Sequence, residues 1–220
     1  MCGLRFTEQD WEKALDSGEA SYLLHVKSEN EGGLPEGLRK YLEVGVQMGV
    51  SKAYKCRTRS PWFRVPHVYR PDAFLTYMSG VAPRLVANDA EAVAPNTLHV
   101  VRMHGLTGVC SDALAVLWQT SLTRLSAEIE GHALGGGMLK LEPSEAESVL
   151  VAMPPVKPKD LTGLGEELDK LVRQGKAGQA SSLADGMILR HIGLSRADYN
   201  LLADAAEQLR CRRYARGAAP

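Results

Sequence analysis

The chain has 220 residues, 45% hydrophobic and 24% charged, with 26 Lys and Arg set against 26 Asp and Glu. That length buries a core as one domain, or as one domain with a small appendage, and the composition is that of an ordinary soluble globular protein. No apolar run approaches the roughly 18 residues that span a bilayer, and the start MCGLRFTEQDWEK turns acidic too early for a signal peptide, so a cytoplasmic location is expected.

Thr7 to Gly18 carries helix punctuation at both ends: Thr7 with Asp10 forms a capping-box pattern and Gly18 follows the last helical residue. A Glu/Asn/Gly stretch, Ser28 to Gly33, separates it from a second helix opened by Pro35, in which Leu38, Tyr41 and Leu42 share a face and which Gly49 ends. Residues 1–50 therefore read as an N-terminal helical segment.

From Ser51 to Pro71 the sequence SKAYKCRTRSPWFRVPHVYRP holds six cations (Lys52, Lys55, Arg57, Arg59, Arg64, Arg70), four aromatics (Tyr54, Trp62, Phe63, Tyr69) and no acid. The rest of the chain is left with 20 cations against 26 acids. A one-sided basic field beside aromatic surface suits a nucleic-acid backbone, since each neutralised phosphate releases counterions. A basic edge strand that discourages aggregation is the other reading of the same run.

Between Tyr54 and Met103 the texture is β, with short runs at Phe63 to Val65, Arg84 to Ala87 and Leu98 to Met103 between Pro, Gly and Asn breakers. Ser111 to Glu130 then has a helical period, with Leu114, Leu117, Trp118, Leu122, Leu125 and Ile129 on one face and Gly131 at the end. The expectation is one long helix packed across a small sheet. Gly135-Gly136-Gly137 precedes an apolar and cationic strand containing Lys140, and Ser144 with Glu147 gives the cap pair of a following helix. The glycine run is either a flexible turn or a backbone able to approach a large partner at positive φ, with Lys140 reaching a phosphate. It lacks the spacing of a nucleotide-binding loop.

The core is expected over 51–152, followed by a proline-rich linker over 153–160 (MPPVKPKD). Residues 161–220 read as helical: Leu161 to Lys176, Gln179 to Ile192, and Arg196 to Arg213 behind a Ser195/Asp198 cap. The closing cations Arg210, Arg212, Arg213 and Arg216 are expected in a solvated helix end, with a second DNA contact as the alternative. The fold class is α+β: a small sheet packed with a long helix, flanked by helical segments at both ends.

Cysteines at 2, 56, 110 and 211 form no CxxC pair, and the six histidines include no HExxH, so no metal is expected. No GxSxG, no SxxK and no distinguished carboxylate pair announces a catalytic centre. Read from the residues alone, the chain is a nucleic-acid-binding module without visible catalytic machinery.

Tyr54 to Val101 and Ala113 to Glu145 carry a more specific order. A basic segment ends in Pro-Trp-Phe, then come a Met-Ser-Gly-x-x-Pro-Arg turn, an Asn-Thr-Leu-His strand, a long helix, and Gly-Gly-Gly-x-Leu-Lys-Leu-Glu-Pro. This resembles the C-terminal target-recognition region of restriction-modification N6-adenine DNA methyltransferases, over roughly Arg39 to Arg216. Complete enzymes of that kind add a catalytic domain with a glycine-containing methyl-donor motif and an Asn/Asp-Pro-Pro-Tyr/Phe motif. Neither is present, the only Pro-Pro being Pro154-Pro155 in MPPV.

The resemblance therefore implies the recognition half of a methyltransferase, as a fragment, a split subunit or a truncated gene product. Double-stranded DNA would be its ligand, and S-adenosylmethionine would belong to the catalytic domain rather than to this chain. On that scheme Lys52, Lys55, Arg57, Arg59 and Arg64 hold phosphates while Trp62 braces the strand by burial or is only core. Asn96, His99, Gly135, Gly136, Gly137 and Lys140 approach bases or backbone. A protein-interaction domain and an autonomous enzyme with an unrecognised site remain the competing readings.

Overall fold

The computed structural model describes residues 3–19, 22–27, 33–104, 109–155 and 161–217. Strand β1 (Arg5–Phe6) leads through Thr7 into α1 (Glu8–Asp16). The expected capping box is formed: the Asp10 N–H donates to the Thr7 hydroxyl at 3.3 Å and the Thr7 N–H donates to the Asp10 carboxylate at 3.1 Å. α2 (Glu36–Gln47) starts behind Pro35 and gives way at Gly49, whose φ of 78° suits glycine. A single helical turn, α3 (Tyr54–Arg57), follows.

The main sheet uses β2 (Ala73–Thr76), β4 (Leu85–Asn88) and β5 (Leu98–Val101), and between β2 and β4 lies β3 (Met78–Ser79) of a second sheet. The four-stranded order is β1-β4-β2-β5, with β1 parallel to β4 and the other pairs antiparallel. Ala73, Phe74 and Leu75 on β2 and Leu85, Val86 and Ala87 on β4 are all buried. That is why AFLT and LVAN read as apolar on both faces instead of alternating.

The expected helix over Ser111 to Glu130 is two helices, α4 (Ser111–Leu117) and α5 (Ser121–Glu130). Thr120 breaks it by capping α5, its hydroxyl accepting from Thr123 N–H, while the Trp118 indole N–H donates to the Pro83 carbonyl at 3.0 Å. The single apolar face fails with it: Leu117 and Trp118 are buried but Ile129 is 63% exposed. Beyond α5, β6 (His132–Ala133) and β7 (Leu139–Lys140) complete the second sheet, ordered β3-β7-β6 and antiparallel. α6 (Pro143–Ser148) takes its cap from Glu142 and Glu145, two residues ahead of the expected Ser144/Glu147 pair.

Three helices close the chain: α7 (Thr162–Arg173), α8 (Ala177–Ile188) and α9 (Arg196–Gly217). Leu168 of α7 and Ala180, Ala184 and Ile188 of α8 share one core with Val116 and Leu117 of α4 and with Ala73, Leu75 and Leu85 of the sheet. Each fully buried leucine or isoleucine there contributes about 1.5–3 kcal/mol relative to exposure. A separate small cluster joins Val26, Leu34, Leu42 and Phe63, with Leu38 and Trp62 packed against it. The fold is α+β, with small sheets and helices at both ends. Among the described residues no helix is long and apolar enough to cross a membrane.

Candidate nucleic-acid interface

The basic run is not a strand. Its backbone closes on itself through Arg57 N–H to Ala53 O at 2.9 Å, Arg59 N–H to Cys56 O at 3.0 Å and Arg64 N–H to Pro61 O at 3.0 Å. Pro61 and Pro66 carry no N–H, so the segment expected as a strand at Phe63 to Val65 joins no ladder. Phe63 is buried instead in the small cluster with Leu42 of α2, and Trp62 lies half-buried beside it, the two rings edge-on at 5.8 Å. Trp62 thus braces a compact helical corner and not a strand.

That anchoring presents the cations to solvent. Lys52 ends a 3-10 turn, Lys55 and Arg57 stand on α3, and all three are exposed; Arg59 is half-buried and Arg64 exposed. Tyr54, 66% exposed, sits with the Arg57 guanidinium 5.4 Å and the Lys55 ammonium 6.0 Å from its ring centre. Tyr54 and Arg57, three apart on one helical turn, meet in this way. Among the described residues no carboxylate pairs with Lys52, Lys55, Arg57 or Arg59, whereas Arg70, at the end of the run, pairs with Glu91 at 3.3 Å. Tyr54 was visible in the sequence as an aromatic amid cations, but its projection depends on Phe63 being the ring that turns inward.

Of the other expected contacts, His99, Lys140 and Gly137 are engaged within the fold. Asn96 is exposed in the turn before β5. His99 on β5 bonds through Nε2 to the Leu141 carbonyl at 2.8 Å and meets Tyr77 edge-on at 5.0 Å, joining the two sheets. Lys140 lies 2.5 Å from Glu142 and 5.0 Å from the centre of the Tyr77 ring. Hydrogen bonding to Glu142 and then to Tyr77 holds its ammonium well above the usual lysine range, and the same contact with Lys140 lowers the Glu142 carboxyl.

Gly135 and Gly136 are exposed and Gly137 is buried. Gly136 and Gly137 have φ of 67° and 73°, as the sequence allowed, but the close approach is to Tyr214: a Cβ on Gly137 would lie 2.5 Å from that ring.

Arg213 was expected in a solvated helix end and is 3% exposed. It donates to both Glu128 oxygens, at 2.7 and 3.1 Å, to Gly80 O at 2.9 Å and to Gly137 O. Glu128 is itself 6% exposed, so the pair is buried on both sides. Arg212 and Arg216 do face solvent, and Arg210 pairs with Glu207. Helical spacing could not separate Arg213 from these neighbours, because the groups that bury it come from residues 80, 128 and 137.

The parallel pair β1 and β4 has only Thr7, and no glycine loop, between β1 and α1. A cleft of about 420 Å³ lies between β1, α4 and α7. Two carboxylates that line it are already engaged: Asp169 accepts from Leu4 N–H at 2.6 Å and from Arg173 at 2.7 Å, and Asp112 pairs with Arg5 at 3.0 Å. Among the described residues no group of His, Cys, Asp and Glu could hold a metal ion.

The family model described as the C-terminal domain of the type II methyltransferase M.Eco57I matches residues 1–189. The match starts upstream of the span on which the resemblance was read and ends before α9. No curated protein and no solved structure matches the chain.

Proposed function

The chain belongs to the M.Eco57I C-terminal domain family of type II methyltransferases, and we propose that it grips duplex DNA and reads the target site for such an enzyme. Adenine-N6 transfer from S-adenosylmethionine would take place on a separate catalytic domain or subunit, in the cytoplasm. The observation that carries this reading is the run of exposed Lys52, Lys55 and Arg57 and half-buried Arg59, which is without carboxylate partners among the described residues and sets Lys55 and Arg57 beside Tyr54. A methyltransferase acting on a base must extrude it from the stack, and a second surface must hold the duplex meanwhile. Cations with no internal partner can neutralise phosphates without first breaking a pair. An exposed ring between two of them can pack on a sugar or base.

Gly137, His99 and Lys140 are not assigned to the interface, because Tyr214, Leu141 and Glu142 already occupy them. Asn96, Gly135 and Gly136 are exposed and stay in the proposal as contacts at its edge. The test is a duplex-binding titration over a range of salt with Lys52, Lys55 and Arg57 replaced by Ala. The log-log slope should fall by about one for each phosphate that is no longer neutralised, on all sequences alike. An unchanged slope would remove the run from the interface. The same preparation should transfer no tritiated methyl group, and stoichiometric binding of S-adenosylmethionine would favour an autonomous enzyme.

A further inference from the structure

Residues 25–27 and 64–69 face each other across an open cleft of about 330 Å³. The small core fixes both walls: Val26 and Phe63 are each 6% exposed and belong to the same cluster. Val26 is buried, while His25 and Lys27 on either side of it are both exposed. The opposite wall brings Arg64, His67 and Tyr69, and none of the described residues lining the cleft is acidic.

Two details mark the far wall as more than a solvated loop. His67 has a φ of 55°, a left-handed conformation that few residues other than glycine adopt. Its Nδ1 lies 3.1 Å from the Tyr69 hydroxyl. A neutral histidine and a tyrosine together hold one N–H and one O–H, and their mutual bond uses one of them, so either tautomer leaves one donor unused. The Arg102 guanidinium lies 4.6 Å from the centre of the Tyr69 ring, adding a cation at the edge.

We infer that this cleft binds a phosphate group, with Lys27 supplying charge and the His67–Tyr69 pair a directed donor. Donors from two chain segments converge on one opening, which suits a tetrahedral oxyanion better than a planar carboxylate. Resting on the reading of the chain as a duplex-gripping domain, the phosphate is one of the DNA backbone. The contact surface then extends beyond the basic run to Lys27 and His25, residues that no motif singled out.

The test follows the His25 and His67 ring signals by NMR while a short duplex, or inorganic phosphate alone, is added. It also measures the salt slope of duplex binding for K27E and for Lys27→Ala/His67→Asn, asparagine being tolerant of the left-handed backbone. Duplex should move both histidine signals, and the double variant should lower the slope by about one. K27E, a change at an exposed position, should weaken binding about tenfold or more with unaltered melting. Lys55→Ala/Arg57→Ala should weaken binding yet leave the histidine shifts in place.

Duplex binding by the wild type with unmoved histidines, or with K27E at full affinity, overturns the cleft while sparing the functional proposal. If the wild type does not bind duplex, the functional proposal fails and the phosphate arm decides the cleft. Shifts with inorganic phosphate alone then make it a site for a free phosphate, overturning the backbone assignment. No shift with either removes the site.

Discussion

Arg213→Met tests whether α9, which lies outside the matched residues, is an integral part of the fold. The substitution removes the bonds to Glu128 at 2.7 and 3.1 Å and those to Gly80 O and Gly137 O, and leaves a carboxylate only 6% exposed. Removing one partner of a buried pair costs about 3–5 kcal/mol, chiefly because the remaining charge is stranded. For a chain of this size about 2–4 °C of Tm accompanies each kcal/mol, so a fall of about 6–20 °C is expected in a thermal melt followed by circular dichroism. Arg213→Met/Glu128→Leu removes the stranded charge and should recover most of that deficit, since apolar replacement of a buried pair is often neutral. Duplex affinity of the single variant, measured well below its melting point, should be unchanged. A fall of less than about 2 °C, or a double variant no better than the single, would refute the argument from a stranded charge.

Three glycine variants separate a structural joint from a DNA contact at residues 135–137. Gly135→Ala has open space and should stay within about 0.5 kcal/mol of wild type, Gly136→Ala at φ 67° should cost about 1 kcal/mol, and Gly137→Ala, which meets Tyr214, should cost about 2 kcal/mol or more. Reduced duplex affinity at unchanged Tm in either of the first two would put the loop in the interface. The pH dependence should centre on Asp10, whose carboxyl is held well below the usual range by hydrogen bonding to Arg173, against the opposing effect of burial. A depressed folded-state pKa gives stability that is full above the unfolded value of about 4 and is lost as pH falls below it. Asp10→Asn should therefore cost about 2 kcal/mol at pH 7, with its Tm approaching wild type only as the pH falls through the depressed folded-state value; parallel curves would refute the assignment.

Local signals carried as far as local physics does. The Thr7/Asp10 and Ser195/Asp198 caps, the Pro35 start and the Gly49 stop each depend on residues within a few positions, and each is observed. The strands at Leu85 and Leu98 were likewise legible because apolar runs between breakers have few alternatives. Failures came where tertiary contacts decide. Trp118 reads as one more residue on a helical face, but its indole N–H is satisfied by Pro83, 35 positions away, and the helix breaks beside it. The basic run reads as a strand because Tyr, Trp, Phe and Val favour strands. Its three prolines and the pull of Leu34 and Leu42 on Phe63 make it a corner instead. At the candidate site the composition was legible, and the sorting of cations into paired and unpaired was not.

That sorting would let a chain with no net charge bind a polyanion. Arg5, Arg70, Arg173, Arg210 and Arg213 each lie within 4 Å of a carboxylate, as do Lys40 and Lys140. A phosphate approaching such a cation must share it with a negative neighbour, so the pair is nearly silent to a polyanion. Lys52, Lys55, Arg57 and Arg59 have no such neighbour among the described residues, and neither does Lys27 in the cleft. If only these five act on DNA, five phosphates at about 0.9 each give a log-log salt slope near −4.5, a fall of about 500-fold in affinity between 50 and 200 mM salt. The measurement is an anisotropy titration on one duplex across that range. A slope steeper than about −8 would mean that cations beyond these five also engage phosphate, and one shallower than about −2 would mean that most of the five do not. Either result would refute the assignment of the contact to these five cations.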